Sequence, residues 1–155
     1  MFAHIKTYNL PGLACSIAVI EDPKTRLAFQ RAARGMITEV NCFGYAGCEA
    51  AYSYGEPWRQ ALLKTLRKNR DTLYSALETL EEKETLRPME ATYLAWMDMT
   101  SLKNVALATH FENHGIGLSD GSFFGTPGFL RLNFGCPEKT LIQGIERLLK
   151  GLGAL

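Results

Sequence analysis

The chain has 155 residues, of which 46% are hydrophobic and 21% are charged, and its formal net charge at pH 7 is +1. This balance is typical of a globular protein, and it excludes both the basic field that attracts nucleic acid and a polybasic membrane patch. No apolar stretch approaches the roughly 20 residues that span a bilayer, and no apolar signal region follows Met1. We therefore expect a cytoplasmic protein that binds neither nucleic acid nor membranes.

The first 54 residues predict one strand and two helices. Residues 14–20 form a short apolar run with β-branched residues, which favours a buried strand. Asp22-Pro23 combines an N-cap residue with proline at the first helical position, which predicts a helix that ends at Ala33. Residues 43–54 are rich in alanine, glycine and aromatic residues, and they predict a second helix that is well buried.

A long amphipathic helix is predicted next. It should begin at Gly55-Glu56-Pro57 and continue for roughly 25 residues, or about 40 Å. Its apolar residues recur at helical spacing, and they are Trp58, Leu62, Leu66, Leu73, Leu77 and Leu80. Such a helix is too long for the interior of a small domain, so we expect it to bridge two domains.

The remainder of the chain predicts short strands and helices in alternation. The predicted elements are strands over 91–98, 116–119 and 129–134, a loop over 120–128, and helices over 102–113 and 137–149. Within the last strand, Arg131 should face the same side as Phe129 and Asn133 because side chains alternate along a strand. This order of elements indicates an α/β or α+β architecture.

The spacing of cysteines and histidines predicts no metal site. The four cysteines, which are Cys15, Cys42, Cys48 and Cys136, form no Cys-x-x-Cys pair. Disulfides between them stay open, but their small and apolar sequence neighbours favour reduced thiols. His110 and His114 are four residues apart on a predicted helix, but no third ligand shares that face, so a solvated helix end is the better interpretation.

One lysine near the start of the chain has the sequence context of a nucleophile. Lys6 lies between Ile5 and Thr7-Tyr8, just ahead of the apolar run. A lysine among apolar neighbours loses hydration, which disfavours its charged form and frees the amine for Schiff-base chemistry. On residue type alone, a solvated surface lysine is the commoner case.

Several separated motifs resemble one protein family. Residues 6–13, Lys-Thr-Tyr-Asn-Leu-Pro-Gly-Leu, resemble the cofactor-lysine segment of the class I/II aminotransferase superfamily, and in particular its cystathionine β-lyase-like C–S lyase branch. Residues 128–137, Gly-Phe-Leu-Arg-Leu-Asn-Phe-Gly-Cys-Pro, resemble the end of the family's small domain. Residues 90–96 resemble a strand of that domain, and residues 117–121 and 124–125 resemble its substrate-side loop. The similarity covers essentially the whole chain.

The resemblance implies an α/β protein that is the C-terminal portion of a fold type I enzyme dependent on pyridoxal 5'-phosphate. Residues 1–54 would be the end of the large cofactor-binding domain, 55–82 the interdomain helix, and 83–155 the small α+β domain. In the family, the other residues that hold the cofactor lie upstream of the lysine. Family members pair as homodimers, so a homodimer is expected here.

The resemblance also implies roles for two residues. Lys6 would attach to pyridoxal 5'-phosphate through its amine and, once released, would move the α-proton of the substrate. Arg131 would bind the carboxylate of an amino-acid substrate, because a guanidinium can match a carboxylate with two parallel hydrogen bonds. On spacing alone, an arginine in a surface salt bridge is the favoured alternative.

Two positions differ from common family patterns. Many aminotransferases have an arginine eight residues after the lysine that contacts the cofactor phosphate, and here that residue is Ala14. The residue before the lysine is often serine, and here it is Ile5. Because the lyase-like branch commonly lacks the arginine, Ala14 favours a lyase.

Three functions are therefore weighed. A C–S β-lyase acting on an amino acid such as cystathionine is favoured, and an aminotransferase is the runner-up. The third hypothesis is a truncated, inactive fragment that only folds or binds a partner, and it predicts exposed apolar surface on residues 14–54. Phe123 and Phe124 fit a substrate lid or core packing under a loop equally well.

Overall fold

The computed structural model describes residues 4–78, 89–102 and 106–154. The chain divides into two compact units, residues 1–62 and residues 63–155, which are treated separately below. None of the helices in the described residues is both long enough and apolar enough to cross a membrane.

The first unit consists of helices joined by turns. Helix α1 (His4–Thr7) is followed by a 3₁₀ turn at Pro11–Leu13, helix α2 (Pro23–Ala33) and helix α3 (Cys42–Tyr54). The Asp22 carboxylate accepts a hydrogen bond from the Thr25 amide at 2.8 Å, so it caps α2 as the sequence predicts. The Asn41 side chain caps α3 in the same way through the Gly44 amide at 2.9 Å. Both predicted helices are confirmed.

The predicted strand over residues 14–20 is wrong. Ala14 has a left-handed backbone (φ 48°), and the following residues form only an isolated bridge at Ile17. Cys15 is buried, but Ile17 and Val19 are exposed. A strand requires a neighbouring strand for its backbone hydrogen bonds, and the strands in the described residues pair only with one another, between residues 94 and 133. Within the described residues, the apolar run is therefore not part of a ladder.

Helix α3 is also much less buried than predicted. Its buried residues are the small Gly44 and Ala51, whereas Phe43 and Tyr54 are 73% and 82% exposed. The exposed large apolar and aromatic residues between 14 and 54 are Ile17, Val19, Leu27, Phe29, Met36, Ile37, Phe43, Tyr45, Tyr52 and Tyr54. The prediction of exposed apolar surface on this segment is confirmed.

Helix α4 (Glu56–Leu77) is the predicted long amphipathic helix. It begins in the first unit and continues into the second, where Leu73 and Leu77 are buried. Glu56 forms an ion pair with Arg59 at 2.7 Å in the first turn, where a carboxylate also interacts favourably with the helix dipole. Residues 79–82, the end of the predicted bridging segment, lie outside the described residues.

The second unit contains a three-stranded antiparallel sheet in the order β1-β3-β2 within the described residues. The strands are β1 (Leu94–Asp98), β2 (Ser119–Asp120) and β3 (Phe129–Asn133), and the helices that follow α4 are α5 (Leu107–Asn113) and α6 (Glu138–Leu152). One face of the sheet packs with α4, α5 and α6 into a buried core, which includes Leu73, Ala95, Met97, Phe111, Leu130, Leu132, Leu141 and Leu148. This arrangement confirms the predicted α+β character of the second half.

Several element bounds differ from the predictions, and strand β1 begins at Leu94 instead of the predicted residue 91. Strand β2 is Ser119–Asp120 instead of the predicted 116–119, and these two residues pair with Arg131 and Leu130 of β3. Helix α5 begins at Leu107, and residues 103–105 of the predicted helix lie outside the described residues. Helix α6 extends to Leu152 because Gly151 packs closely against Phe111 instead of ending the helix.

Asn69 connects α4 to the end of β3. Its side chain is 1% exposed, and its amide donates to the carbonyl oxygens of Phe134 at 2.9 Å and Cys136 at 2.8 Å. Replacing Asn69 with alanine is expected to lower the free energy of unfolding by about 3 kcal/mol, because it leaves buried carbonyl groups without donors and opens a cavity. Urea denaturation followed by circular dichroism measures this change.

Lys68 provides a matched control on the same helix. It forms an exposed ion pair with Glu138 at 2.7 Å, so Lys68→Ala is expected to change the free energy of unfolding by less than about 1 kcal/mol. Equal losses in the two variants would show that Asn69 has no special structural role.

Candidate functional site

Lys6 lies in the short helix α1 with its side chain exposed. No residue described in the structure accepts a hydrogen bond from its amine or pairs with its charge. The described residues do not provide the apolar surroundings that the sequence neighbours of Lys6 suggest. The amine is nevertheless open to an electrophile, which is the property that attachment to an aldehyde requires.

The segment that follows Lys6 is held against α3 by side-chain packing. The Tyr8 ring contacts Tyr52 edge-on at 5.8 Å between centroids and stacks on Trp58 at 6.4 Å. Asn9 adopts a left-handed backbone conformation (φ 54°), and Leu13 packs closely over Gly47. Tyr8 and Asn9 therefore shape the turn.

A shallow apolar groove lies beside this turn. It has a volume of about 360 Å³, and its lining includes Tyr8, Leu10, Tyr54 and Trp58. The groove is close in sequence to Lys6, but its walls offer no cationic side chain for a phosphate group.

Arg131 lies at the centre of β3 in the second unit. Its side chain is half-buried and projects from the side of the sheet opposite the core, since Leu130 and Leu132 face inward. Its Nη2 donates a hydrogen bond to the Ser119 hydroxyl at 3.1 Å. Its guanidinium carbon lies 4.7 Å from the centre of the Phe124 ring, in cation–π contact.

An aromatic cluster borders Arg131. Trp96 is directly opposite Arg131 in the β1–β3 register, so both side chains project from the same face. The Trp96 ring contacts Phe124 edge-on and stacks on Phe129, with centroids 5.7 Å apart in each pair. The Phe124 ring contacts the guanidinium from one side, and among the described residues only Ser119 accepts a hydrogen bond from it.

The loop before β3 places Phe124 on the guanidinium. A 3₁₀ turn, Gly121–Phe124, is capped by the Asp120 carboxylate, which accepts a hydrogen bond from the Ser122 amide. This bond, together with one from the Ser122 side chain, holds the pKa of Asp120 below its usual range. A Cβ on Gly121 would collide with the carbonyl oxygen of Thr126, so only glycine fits this close approach. Gly125 then ends the turn in a left-handed conformation (φ 76°).

Arg131 has no carboxylate partner among residues 4–78, 89–102 and 106–154. The surface salt bridge that spacing alone favours is therefore not observed there. A half-buried guanidinium with free donors and an aromatic neighbour is suited to bind an external carboxylate.

His110 and His114 both make contacts with backbone carbonyl groups, so their roles here are structural. The His110 Nε2 interacts with the Gly151 carbonyl oxygen at 2.9 Å, and the His114 Nδ1 interacts with the His110 carbonyl oxygen at 2.9 Å. No group of three or more metal-binding side chains occurs in the part of the chain that the structure describes.

Comparison with known proteins identifies the family. The model of the family "Aminotransferase class I and II" matches residues 6–148, a range that contains both Lys6 and Arg131. The chain belongs to this family.

Relatives of this aminotransferase-family chain include enzymes named as lyases. It is 33% identical to cystathionine beta-lyase PatB of Bacillus subtilis (strain 168) over 95% of its length. Among solved structures, cystalysin from Treponema denticola, with a pyridoxal 5'-phosphate cofactor, has 28% identity over 98% of the chain and a TM-score of 0.83. The C–S lyase of Staphylococcus hominis, also bound to the cofactor, has 26% identity over 96% of the chain and a TM-score of 0.81.

The aminotransferase-family chain spans about 40% of the length of these relatives, with 40% of PatB, 40% of cystalysin and 39% of the S. hominis enzyme covered. It has the fold of the C-terminal portion of a fold type I enzyme of this pyridoxal-phosphate-dependent family.

The residues present fit the family's cofactor at one point. The exposed amine of Lys6, which has no partner among the described residues, can react with the aldehyde group of the cofactor. Position 14 provides no positive charge for the cofactor phosphate, because the residue there is an exposed alanine with a left-handed backbone. Lys6 is therefore the residue of this chain that would hold the cofactor.

The sequence indicates Lys6 and Arg131 and, through the resemblance, the segments 90–96, 117–121 and 124–125, but it does not indicate which of their side chains lie beside Arg131. The strand register brings Ser119 and Trp96 to the same face of the sheet as the guanidinium. Phe124 is 51% exposed and contacts Arg131, so core packing is not its role. Phe123 is 87% exposed and is not packed in the core either.

Proposed function

We propose that this chain contributes the catalytic lysine and the carboxylate-binding arginine of a pyridoxal-phosphate-dependent C–S β-lyase. The substrate would be an amino acid with sulfur on its β-carbon, such as cystathionine, and the products would be a thiol, pyruvate and ammonia. The observation that carries the proposal is the half-buried guanidinium of Arg131, which has no carboxylate partner among the described residues, in a chain with relatives named cystathionine β-lyases.

Lys6 would have two roles in this reaction. When bound, pyridoxal phosphate withdraws electrons from the α-carbon of the substrate and makes its proton acidic. The Lys6 amine would hold the cofactor before substrate arrives, and its Nζ would then take the α-proton as a general base. Its exposed position and its lack of a partner among the described residues are compatible with both roles.

Arg131 would bind and orient the substrate through its carboxylate. Two parallel N–H donors would fix the plane of the carboxylate, and the Ser119 hydroxyl and the Phe124 ring would hold the guanidinium in place. Fixing one end of a small amino acid restricts the orientations available to the bonds at its α-carbon.

An aminotransferase is the second candidate, because the matching family model bears that name. Ala14 favours the lyase, since many aminotransferases have a phosphate-binding arginine at this position. The products separate the two reactions: a lyase releases pyruvate and a thiol without any keto acid, whereas an aminotransferase requires a keto acid as amino acceptor.

The domain organisation belongs to the same proposal. Residues 1–54 would be the end of a large cofactor-binding domain, residues 55–82 an interdomain helix, and residues 83–155 a small domain. The parent enzyme would be a cytoplasmic homodimer, and the exposed aromatic residues of α3 are compatible with burial in a larger assembly.

Reductive labelling tests whether the chain holds the cofactor through Lys6. The purified chain is mixed with pyridoxal phosphate and reduced with borohydride, and the modified lysines are mapped by mass spectrometry. We expect one adduct per chain at Lys6, because this residue stands at the position of the family's cofactor lysine and its amine is free of partners among the described residues.

Lys24 gives the control for this experiment. It is another exposed lysine of the first unit, at the start of α2. The Lys6→Ala chain should lose the adduct, and the Lys24→Ala chain should keep it. Labelling spread over Lys24 and the other surface lysines, or no labelling, would contradict the role of Lys6.

A further inference from the structure

Two cysteines meet where the turn after Lys6 packs on α3. Cys15 follows the 3₁₀ turn Pro11–Leu13 and is 5% exposed. Its Cβ lies 3.4 Å from the position that a Cβ on Gly44 would occupy, which places Cys15 directly on α3. Cys48 is one helical turn after Gly44 and therefore shares that face of the helix.

The two cysteines are neighbours on the same side of α3. Cys15 lies against Gly44, one helical turn before Cys48, and its thiol contributes, after burial, to raising the pKa of the Cys48 thiol; both are free cysteines. The other cysteine of α3, Cys42, is exposed, and its pairing with Cys15 has no comparable support in the structure. The close approach depends on Gly44, because a larger residue would press on the Leu13 carbonyl oxygen and Val40.

We propose that Cys15 and Cys48 are a redox modification site that closes reversibly into a disulfide when a low-molecular-weight disulfide, such as oxidised glutathione, is the oxidant. Neither the family nor the proposed lyase reaction requires this bond. Its formation would join the segment after Lys6 covalently to α3.

The chemistry balances by two thiol–disulfide exchanges. The Cys48 thiolate attacks one sulfur of oxidised glutathione, forms a mixed disulfide and releases one glutathione thiolate. The Cys15 thiolate then attacks the Cys48 sulfur and displaces the second glutathione. Two protein thiols are oxidised, one glutathione disulfide is reduced to two thiols, and two protons leave the protein.

Accessibility decides which cysteine reacts first. Cys48 is half-buried and can meet the oxidant, whereas Cys15 is buried behind it. Burial, together with the neighbouring Cys15 thiol, raises the pKa of the Cys48 thiol above its ordinary value. Because the thiolate is the nucleophile, the exchange should accelerate about tenfold per pH unit between pH 7 and pH 8.

The test uses the full chain, reduced and then incubated with oxidised glutathione. Combined trypsin and chymotrypsin digestion separates Cys42 from Cys48, because Phe43 and Tyr45 lie between them. We expect a cross-linked peptide pair that contains Cys15 and Cys48, an intact mass lower by about 2 Da, and reversal by dithiothreitol.

Two variants complete the test. Cys42→Ser should form the same cross-link at an unchanged rate, and Cys48→Ser should form none. A cross-link through Cys42, stable glutathionylation of Cys48 without a cross-link, or full recovery of free Cys15 after oxidation would each overturn the proposal. Mapping in the unsubstituted chain requires no variant, so a folding defect in Cys48→Ser would not obscure the result.

Discussion

Replacing Lys6 with alanine is expected to lower the rate of pyruvate release from cystathionine on the order of 10³-fold, measured with the chain saturated with pyridoxal phosphate. The substitution removes both the amine that would hold the cofactor and the base that would take the α-proton. The side chain is exposed and without a partner among the described residues, so its loss should leave the folded structure intact. Pyruvate is measured by a coupled dehydrogenase assay.

Lys24→Ala is the matched control, since it removes an exposed lysine from α2 and should leave the rate unchanged. Added ethylamine, a small primary amine, should restore part of the activity of Lys6→Ala but should not change that of Lys24→Ala. A structural role for Lys6 would not produce this rescue. Pyruvate release that persists at an unchanged rate in Lys6→Ala would contradict the lyase proposal.

The helices were predictable because their signals are local. Asp22-Pro23 marks the start of α2, and the Asp22 carboxylate does cap it. The apolar spacing from Trp58 onwards predicts α4, which the structure places at Glu56–Leu77. Caps and helical periodicity act within a few residues, so the sequence alone is enough to locate them.

The strand over residues 14–20 was wrongly predicted because a strand depends on residues distant in sequence. An apolar, β-branched run indicates that a segment can form a strand, but a strand also needs a partner elsewhere in the protein. The described residues provide no partner strand for this run, and Ile17 and Val19 stay exposed. Burial of α3 was misjudged for a similar reason, because composition does not show which face of a helix has a neighbour.

The sequence predicts the charged residue of the site, but it does not predict the side-chain contacts around that residue. Alternation along β3 correctly places Arg131 opposite the inward-facing Leu130 and Leu132. The contacts with Ser119, Trp96 and Phe124 depend on the antiparallel register and on the turn at Gly121, which are set by residues distant in sequence. The sequence therefore indicates which side of the sheet Arg131 faces but not the side chains that surround it.

Replacing Arg131 with lysine is expected to weaken carboxylate binding by 10- to 100-fold, or about 1.4–2.8 kcal/mol. An ammonium group is a point charge that cannot bind both carboxylate oxygens in one plane, and it loses the hydrogen bond to Ser119 and the planar contact with Phe124. Trp96 reports on the site because it lies opposite Arg131 and contacts Phe124. Its fluorescence is titrated with L-alanine in a Trp58→Phe background, where Trp96 is the remaining tryptophan.

Two controls separate carboxylate binding from a general effect of charge or folding. Arg147 is an exposed arginine of the same unit whose guanidinium donates to the Gly115 carbonyl oxygen at 2.8 Å, and Arg147→Lys should bind L-alanine with unchanged affinity. L-Alaninamide has no carboxylate and should give no saturable signal with any variant. Equal affinities for L-alanine in the Arg131→Lys and unsubstituted chains, or equal weakening by Arg147→Lys, would show that Arg131 does not bind the carboxylate. If Arg131→Lys alone weakens binding, the guanidinium on β3 is the substrate-recognition group, because both variants exchange a planar guanidinium for an ammonium of the same charge and differ only in the site that is changed.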